Sequence, residues 1–229
     1  MTHLQMKLNL NKTLKRYDTI SMVILTFEGP DNLGKSTIIN KIISNFKDTK
    51  DICMMHSTGP HTENNEDPFV YQTNVFKEIS LKMLVINSSE TQLGHINKNI
   101  LIMDRSWYGE YVYGQIYRNG NKSDILKMIK TNDKSISKIP NCVINLTASP
   151  EFIISHDDNK SFTSSMDKDE RYFTVKRELD LFEECFKKLP KLNVININVE
   201  GENNNYRNID DIYSEIIIKL KSLKIDLNE

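Results

Sequence analysis

The residues best suited to chemistry in this chain lie close together. Gly29-Pro30-Asp31-Asn32-Leu33-Gly34-Lys35-Ser36 matches the pattern GxxxxGK[ST] at every defined position. Such a loop binds phosphate when it joins a strand to a helix, because backbone N–H groups and the helix N-terminus then converge on the anion. Both flanks fit. Met22 to Phe27 is an apolar, β-rich run. After the loop, apolar residues recur at 38/39, 42/43 and 46, which is one face of a helix. The expected nucleotide contacts are therefore Gly29, Asn32, Leu33, Gly34, Lys35, Ser36 and Thr37. Lys35 would reach the β- and γ-phosphates of ATP, and the Ser36 hydroxyl would sit on Mg²⁺.

A second cluster begins where another apolar run ends. Ile100-Leu101-Ile102-Met103 leads into Asp104-Arg105. An acidic residue at the end of a strand beside a phosphate loop helps hold Mg²⁺, and Asp104 has that position. Arg105 is suited to grip a phosphate with two parallel hydrogen bonds. The other reading makes Asp104 the N-cap of the helix that follows and leaves Arg105 in solvent. Trp107, Tyr108, Tyr111, Tyr113 and Tyr117 make that helix start aromatic. Some of these rings must be core, and one or two have the character to pack against a base or a sugar.

The elements that must carry these groups alternate. Strands are expected at 22–27, 51–56, 99–103, 141–147 and 192–199. Helices are expected from 37 to 46, 69 to 87, 108 to 117 and 170 to 189, with a last one marked by Ile209, Ile212, Ile216, Leu220 and Leu223. This is the pattern of an α/β fold: a five-stranded parallel sheet with helices on both faces, three layers in all. Ligands then bind at the carboxyl ends of the strands. Residues 155–170 are polar and read as a mobile loop, with Asp157 and Asp158 solvated. Residues 1–20 read as an N-terminal extension to a single domain.

With both motifs in view, the chain resembles the thymidylate kinase family. FEGPDNLGKST at 27–37 is similar to that family's FEGxDGxGKST, and DRSWYGEYVYGQ at 104–115 is similar to its DRYxxSxxAYQ. The resemblance implies the P-loop kinase fold with a lid over 155–171. It implies phosphoryl transfer from ATP, with Mg²⁺, to a deoxynucleoside monophosphate, most simply dTMP, in deoxynucleotide synthesis. It also implies that Asp31 accepts a hydrogen bond from the 3′-hydroxyl, that Arg105 holds the acceptor phosphate, and that Tyr113 packs where a 2′-hydroxyl would clash. Phe76 and Tyr108 complete the candidate substrate contacts. Four departures stand out. Gly109 replaces the family's serine near the thymine, HSTGP at 56–60 replaces REPGGT, and the helix at 69–87 has Lys77 and Lys82 but no arginine. Asn32 occupies the loop position where some members carry a catalytic arginine. The lid must then supply the cation, from Lys160, Lys168 or Arg171.

Composition narrows the partners. The 229 residues carry a net charge of −1 and a pI near 6.5, without a basic run to favour nucleic acid. There is no stretch of 18 apolar residues and no leader pattern, so a cytoplasmic protein with small-molecule nucleotide partners is expected, a homodimer being left open. Cys53, Cys142 and Cys185 have no metal-like spacing and read as thiols in a reducing compartment. Asn121-Lys122-Ser123-Asp124 matches the guanine-reading NKxD, but it follows a polar turn rather than closing a strand, which excludes a GTPase. Two alternatives to the monophosphate kinase stay open: a deoxynucleoside kinase with a hydroxyl acceptor, and a nucleotide-binding module without turnover.

Overall fold

The computed structural model describes residues 22–50, 52–56, 99–137, 139–158, 161 and 163–227. The extension at 1–20, the expected helix at 69–87 with Phe76, and Lys160 lie outside the described residues. The five strands are β1 (Met22–Glu28), β2 (Ile52–His56), β3 (Asn99–Asp104), β4 (Asn141–Thr147) and β5 (Val194–Asn198). They form one sheet in the order β2-β3-β1-β4-β5, with every pairing parallel. The expected α/β architecture is therefore present. Phe27 lies beside both Asp104 and Ile144, and His56 lies beside Asp104. The carboxyl ends of β1, β2 and β3 thus share one edge.

Side chains alternate between the faces of the pleated sheet. Leu25, Phe27, Ile100, Ile102 and Ile144 point to one core. Helices α1 (Lys35–Phe46) and α6 (Ile209–Ser222) cover that face and pack on each other. Met22, Ile24, Leu101, Met103 and Val143 point to a second core. It is covered by α2 (Trp107–Tyr117), α3 (Lys122–Ile136) and α5 (Lys168–Lys187). A short helix, α4 (Pro150–Ser155), follows β4.

Two helices fall outside the sequence expectations. Helix α3 is the clearer case. Asn121 accepts from the N–H groups of Ser123 and Asp124, so the NKxD-like stretch is an N-cap, one of the strongest helix-start signals. Ile125 and Ile129 then bury one face. Helix α4 has a matching start, with Ser149 as cap and Pro150 in its first turn. Its end and the start of α5 at Lys168 bracket the segment expected to be a loop. Asp167 caps α5, which places both Lys168 and Arg171 on that helix.

Candidate phosphate-transfer site

The P-loop is built on backbone that few residues tolerate. Gly29 has φ +124°, and a Cβ there would lie 2.4 Å from the Leu146 carbonyl oxygen. Gly34 has φ +71° and forms the N-cap of α1. This cap has no side-chain hydrogen bond, and the first turn of α1 holds no acidic residue. The contrast is sharp: Ser106, Asn121, Ser149, Asp167 and Asn208 each cap their helices with a side chain. The first N–H groups of α1 are thus left for an external anion. Leu33 anchors the loop in the core, while Ser36 and Thr37 are exposed on the first turn. Asn32, with φ +60°, accepts from the Tyr206 hydroxyl at 2.6 Å through its carbonyl.

Lys35 is buried and folds back on the loop, donating to the Gly29 carbonyl at 3.0 Å and the Pro30 carbonyl at 2.5 Å. Burial, with Arg105 adding repulsion, brings its pKa down to about 7. A phosphate would offer this ammonium a stronger partner than neutral carbonyls do.

Arg105 stands at the same edge with φ +67°. It donates to the Tyr113 oxygen at 2.5 Å, lies over the Tyr113 ring at 4.8 Å and pairs with Asp31. Burial opposes its charge, but Tyr113 and Asp31 outweigh burial and hold the guanidinium protonated. Tyr113 also donates to the Gly29 carbonyl at 3.3 Å. Asp31, Arg105 and Tyr113 are therefore one connected group against the loop. Asp104 is nearly buried and meets His56 Nδ1 at 2.9 Å. It does not cap α2; the Ser106 hydroxyl does, accepting from the Tyr108 N–H. Asp104 ends β3 and Ser36 stands exposed on the first turn of α1; one carboxylate and one hydroxyl suit Mg²⁺, which takes most of its remaining oxygens from water and phosphate. Among the described residues, no group of three or more His, Cys, Asp or Glu is arranged to hold an ion.

Other expectations need correction. Tyr108 is not a cleft residue. It is fully buried, its hydroxyl donates to Asp133 at 2.6 Å, and its ring meets Phe186 edge-on. The α2 register turns it toward α3, away from Tyr113. Asp157 is not solvated either: its side chain is 3% exposed and pairs with Arg171. It also accepts from Asn32 at 2.9 Å and from Ser164 at 2.9 Å. Although burial raises its pKa, these partners outweigh burial and hold it below the ordinary value. Arg171 therefore reaches the P-loop through Asp157, whereas Lys168 is exposed on α5.

Two groups escaped the sequence reading. Glu28 ends β1 completely buried, and Glu178 is buried on α5. Glu178 accepts from the Tyr117 hydroxyl and lines a small cavity with Asp31, Asn32 and Arg171. Glu28 lies inside the FEG motif, which was its one signal. Nothing local marked Glu178, whose position depends on how α5 packs on α2. A wider groove of about 1020 Å³ opens at the opposite edge, lined by Lys130, Lys134, Lys188 and Lys191, and it contains none of the P-loop residues.

No protein-family model matches the chain, and no curated protein matches it significantly. Solved structures do. A thymidylate kinase from Ehrlichia chaffeensis superposes with a TM-score of 0.58 at 19% identity, covering 87% of this chain and 98% of its own. The YorR protein of Bacillus subtilis, solved in complex with phosphorylated GDP, gives 0.50 at 19% identity with the same coverage. At that identity the likeness bears on architecture: the chain has the fold of the thymidylate kinase-like P-loop kinases.

Proposed function

We propose that the protein is a nucleotide kinase that moves the γ-phosphoryl group of ATP onto a deoxynucleoside monophosphate, with dTMP the first candidate. The observation that carries this reading is the presence of two cations at one sheet edge, Lys35 buried and Arg105 with its side chain 14% exposed. Lys35 lies in the uncapped loop and Arg105 on the neighbouring strand end, close enough that Arg105 lowers the proton affinity of Lys35. One anion site suits the donor's phosphates; the other suits a phosphate already on the acceptor.

In this reading the α1 N–H groups and Lys35 take the donor phosphates. Arg105 exchanges Asp31 for the acceptor phosphate, and Asp31 turns to a sugar hydroxyl. Tyr113 forms the wall against the sugar. An acceptor phosphate oxygen forms the new bond to the γ-phosphorus while the bond to the β,γ-bridging oxygen breaks, releasing ADP. Charge neutralisation and alignment supply most of the acceleration in such transfers. Ser36 and Asp104 would hold Mg²⁺, which would neutralise charge on the donor phosphates when bound. Arg171, tied to the loop through Asp157 and Asn32, is the first candidate for the lid-side cation, with Lys160 and Lys168 as the others. The whole chain then acts as one kinase domain in the cytoplasm, with residues 155–171 as its lid.

The test is a panel of nucleosides and their monophosphates, each incubated with ATP and Mg²⁺ and read by ADP release. Turnover with a monophosphate and not with its nucleoside is the expected result. Preference for nucleosides makes Arg105 a hydroxyl-side residue, and silence across the panel removes the kinase reading.

A further inference from the structure

Arg105 adopts a left-handed backbone conformation, φ +67°, which costs free energy for any residue with a Cβ. Something must hold it there, and the last two residues of β1 do. The Arg105 N–H donates to the Phe27 carbonyl at 3.0 Å. The next N–H, that of Ser106, donates to Glu28 Oε1 at 2.8 Å, and the Ser106 hydroxyl donates to the same oxygen at 2.7 Å. The peptide on each side of Arg105 is therefore tied to β1, and the guanidinium is aimed at Tyr113 and Asp31. Glu28 is 0% exposed, and its other oxygen, Oε2, is buried with no hydrogen-bond partner. Gly109 of α2 leaves room for it: a Cβ there would lie 3.3 Å from that oxygen.

A buried carboxyl in this state is costly for stability alone. Burial pushes its pKa up to about 7, against the opposing pull of Ser106, Arg105 and Lys35. An apolar residue would fill the same space at lower cost.

We propose that Glu28 is a positioning residue for the acceptor phosphate: it clamps the Ser106 turn so that Arg105 points into the cleft. This rests on the reading of Arg105 as the holder of that phosphate. A role confined to stabilising α2 would change thermal stability and treat both substrates alike. A positioning role separates them, because the Ser106 turn bonds to Glu28 at the end of β1, whereas the donor would sit on the uncapped Gly34–Lys35 start of α1.

The experiment measures kcat and KM for donor and acceptor in the full chain, with the acceptor taken from the panel. The variants are Glu28→Met, Glu28→Gln, Ser106→Ala and Arg105→Ala, with circular dichroism as the check on folding. Glu28→Met keeps the volume and loses the clamp. It should raise the acceptor KM about ten- to hundredfold, the scale of a misaimed contact, and leave the donor KM within about twofold. Glu28→Gln retains an oxygen for Ser106 and should restore the acceptor KM to within about threefold of the parent. Ser106→Ala should shift the acceptor KM in the same direction by less. A folded Glu28→Met with an unchanged acceptor KM, or with both KM values raised together, overturns the proposal. If Glu28→Met does not fold, an unchanged acceptor KM in Ser106→Ala overturns it instead. Arg105→Ala separates the two readings. If it raises the acceptor KM while the Glu28 and Ser106 variants are silent, only the positioning role fails. If Arg105→Ala is itself silent, the phosphate assignment fails with it.

Discussion

The two faces of the sheet are built from different chemistry. The α1/α6 face is hydrocarbon: Ile38, Ile39, Ile42, Ile212, Ile216 and Leu220 close over Leu25, Ile102 and Ile144. The α2/α3/α5 face is aromatic and laced with acids, of which Glu110 and Glu178 are buried. Tyr108 bonds Asp133, Tyr111 bonds Glu184, Tyr117 bonds Glu178, and Arg118 bonds Glu110. Hydrocarbon packing is strong and undirected, so it holds α1 against the sheet without fixing side-chain partners. Buried hydrogen bonds are directional and costly to leave unmade, so they fix how α2 and α5 meet. The difference follows the division of labour proposed for the site. In that proposal the donor side uses the start of α1 with Lys35, Ser36 and Asp104, whereas the acceptor side uses side chains from the loop, the end of β3 and α2 held in register.

The contrast breaks most severely at Arg118. Its pair with Glu110 is buried, both side chains being under 10% exposed. Arg118→Met leaves a buried carboxyl without its cation and should destabilise by about 3–5 kcal/mol in urea melts, while the double change with Glu110→Leu recovers most of that. A cost near zero for the single change means that this face is not held by its polar pairs.

Ile216→Ala probes the hydrocarbon face and should cost about 2–5 kcal/mol through the cavity it opens. Because no site residue bonds to Ile216, turnover per folded molecule should stay at the parent value. A large loss of kcat in folded protein contradicts the division between the faces.

Lys35→Ala should lower turnover by at least about 10²-fold, the scale of one lost transition-state charge contact. Its melting temperature should not fall, since the lysine is buried against its own solvation. Near-normal turnover removes the phosphate assignment of the loop.

The smallest effect is one of pH. Glu28 and Glu178 are each raised from 4.5 to about 7, chiefly by burial. Between those limits the folded state keeps protons that the unfolded state has released. Stability contributed by these groups is thus fully present below about 4.5 and is lost as pH rises through about 7. Urea midpoints of the parent should decline from pH 5 to pH 8 more than those of the Glu28→Gln, Glu178→Gln double variant. Parallel profiles mean that neither carboxyl is held protonated by the fold.

Much of this architecture was legible in the chain itself. Periodicity located all five strands to within two residues, because buried parallel strands are continuous apolar runs with few competing readings. The loop was legible because its two glycines are required by backbone geometry and stand with the lysine within eight residues. Helix α3 was missed for a local reason: its cap, Asn121, was weighed as a base-reading motif, and the isoleucines that follow were not counted. Asp157 was misread for a non-local one. Two adjacent acids in a polar run carry no sign that Asn32, 125 positions away, will bond one of them.

What the sequence by itself determined, then, is the five strands, four of the six α-helices described, the GxxxxGKS loop and the Asp104-Arg105 strand end. Each depends on residues that are neighbours along the chain or share one element's period. Only the tertiary structure decided which tyrosine faces the cleft and which the core, that Ser106 rather than Asp104 caps α2, and that Glu28 holds the turn beneath Arg105. Those outcomes depend on the rotation of α2 about its axis once α3 and α5 have packed against it. That rotation is set by side chains far apart in sequence, each satisfying a hydrogen bond that no local pattern announces.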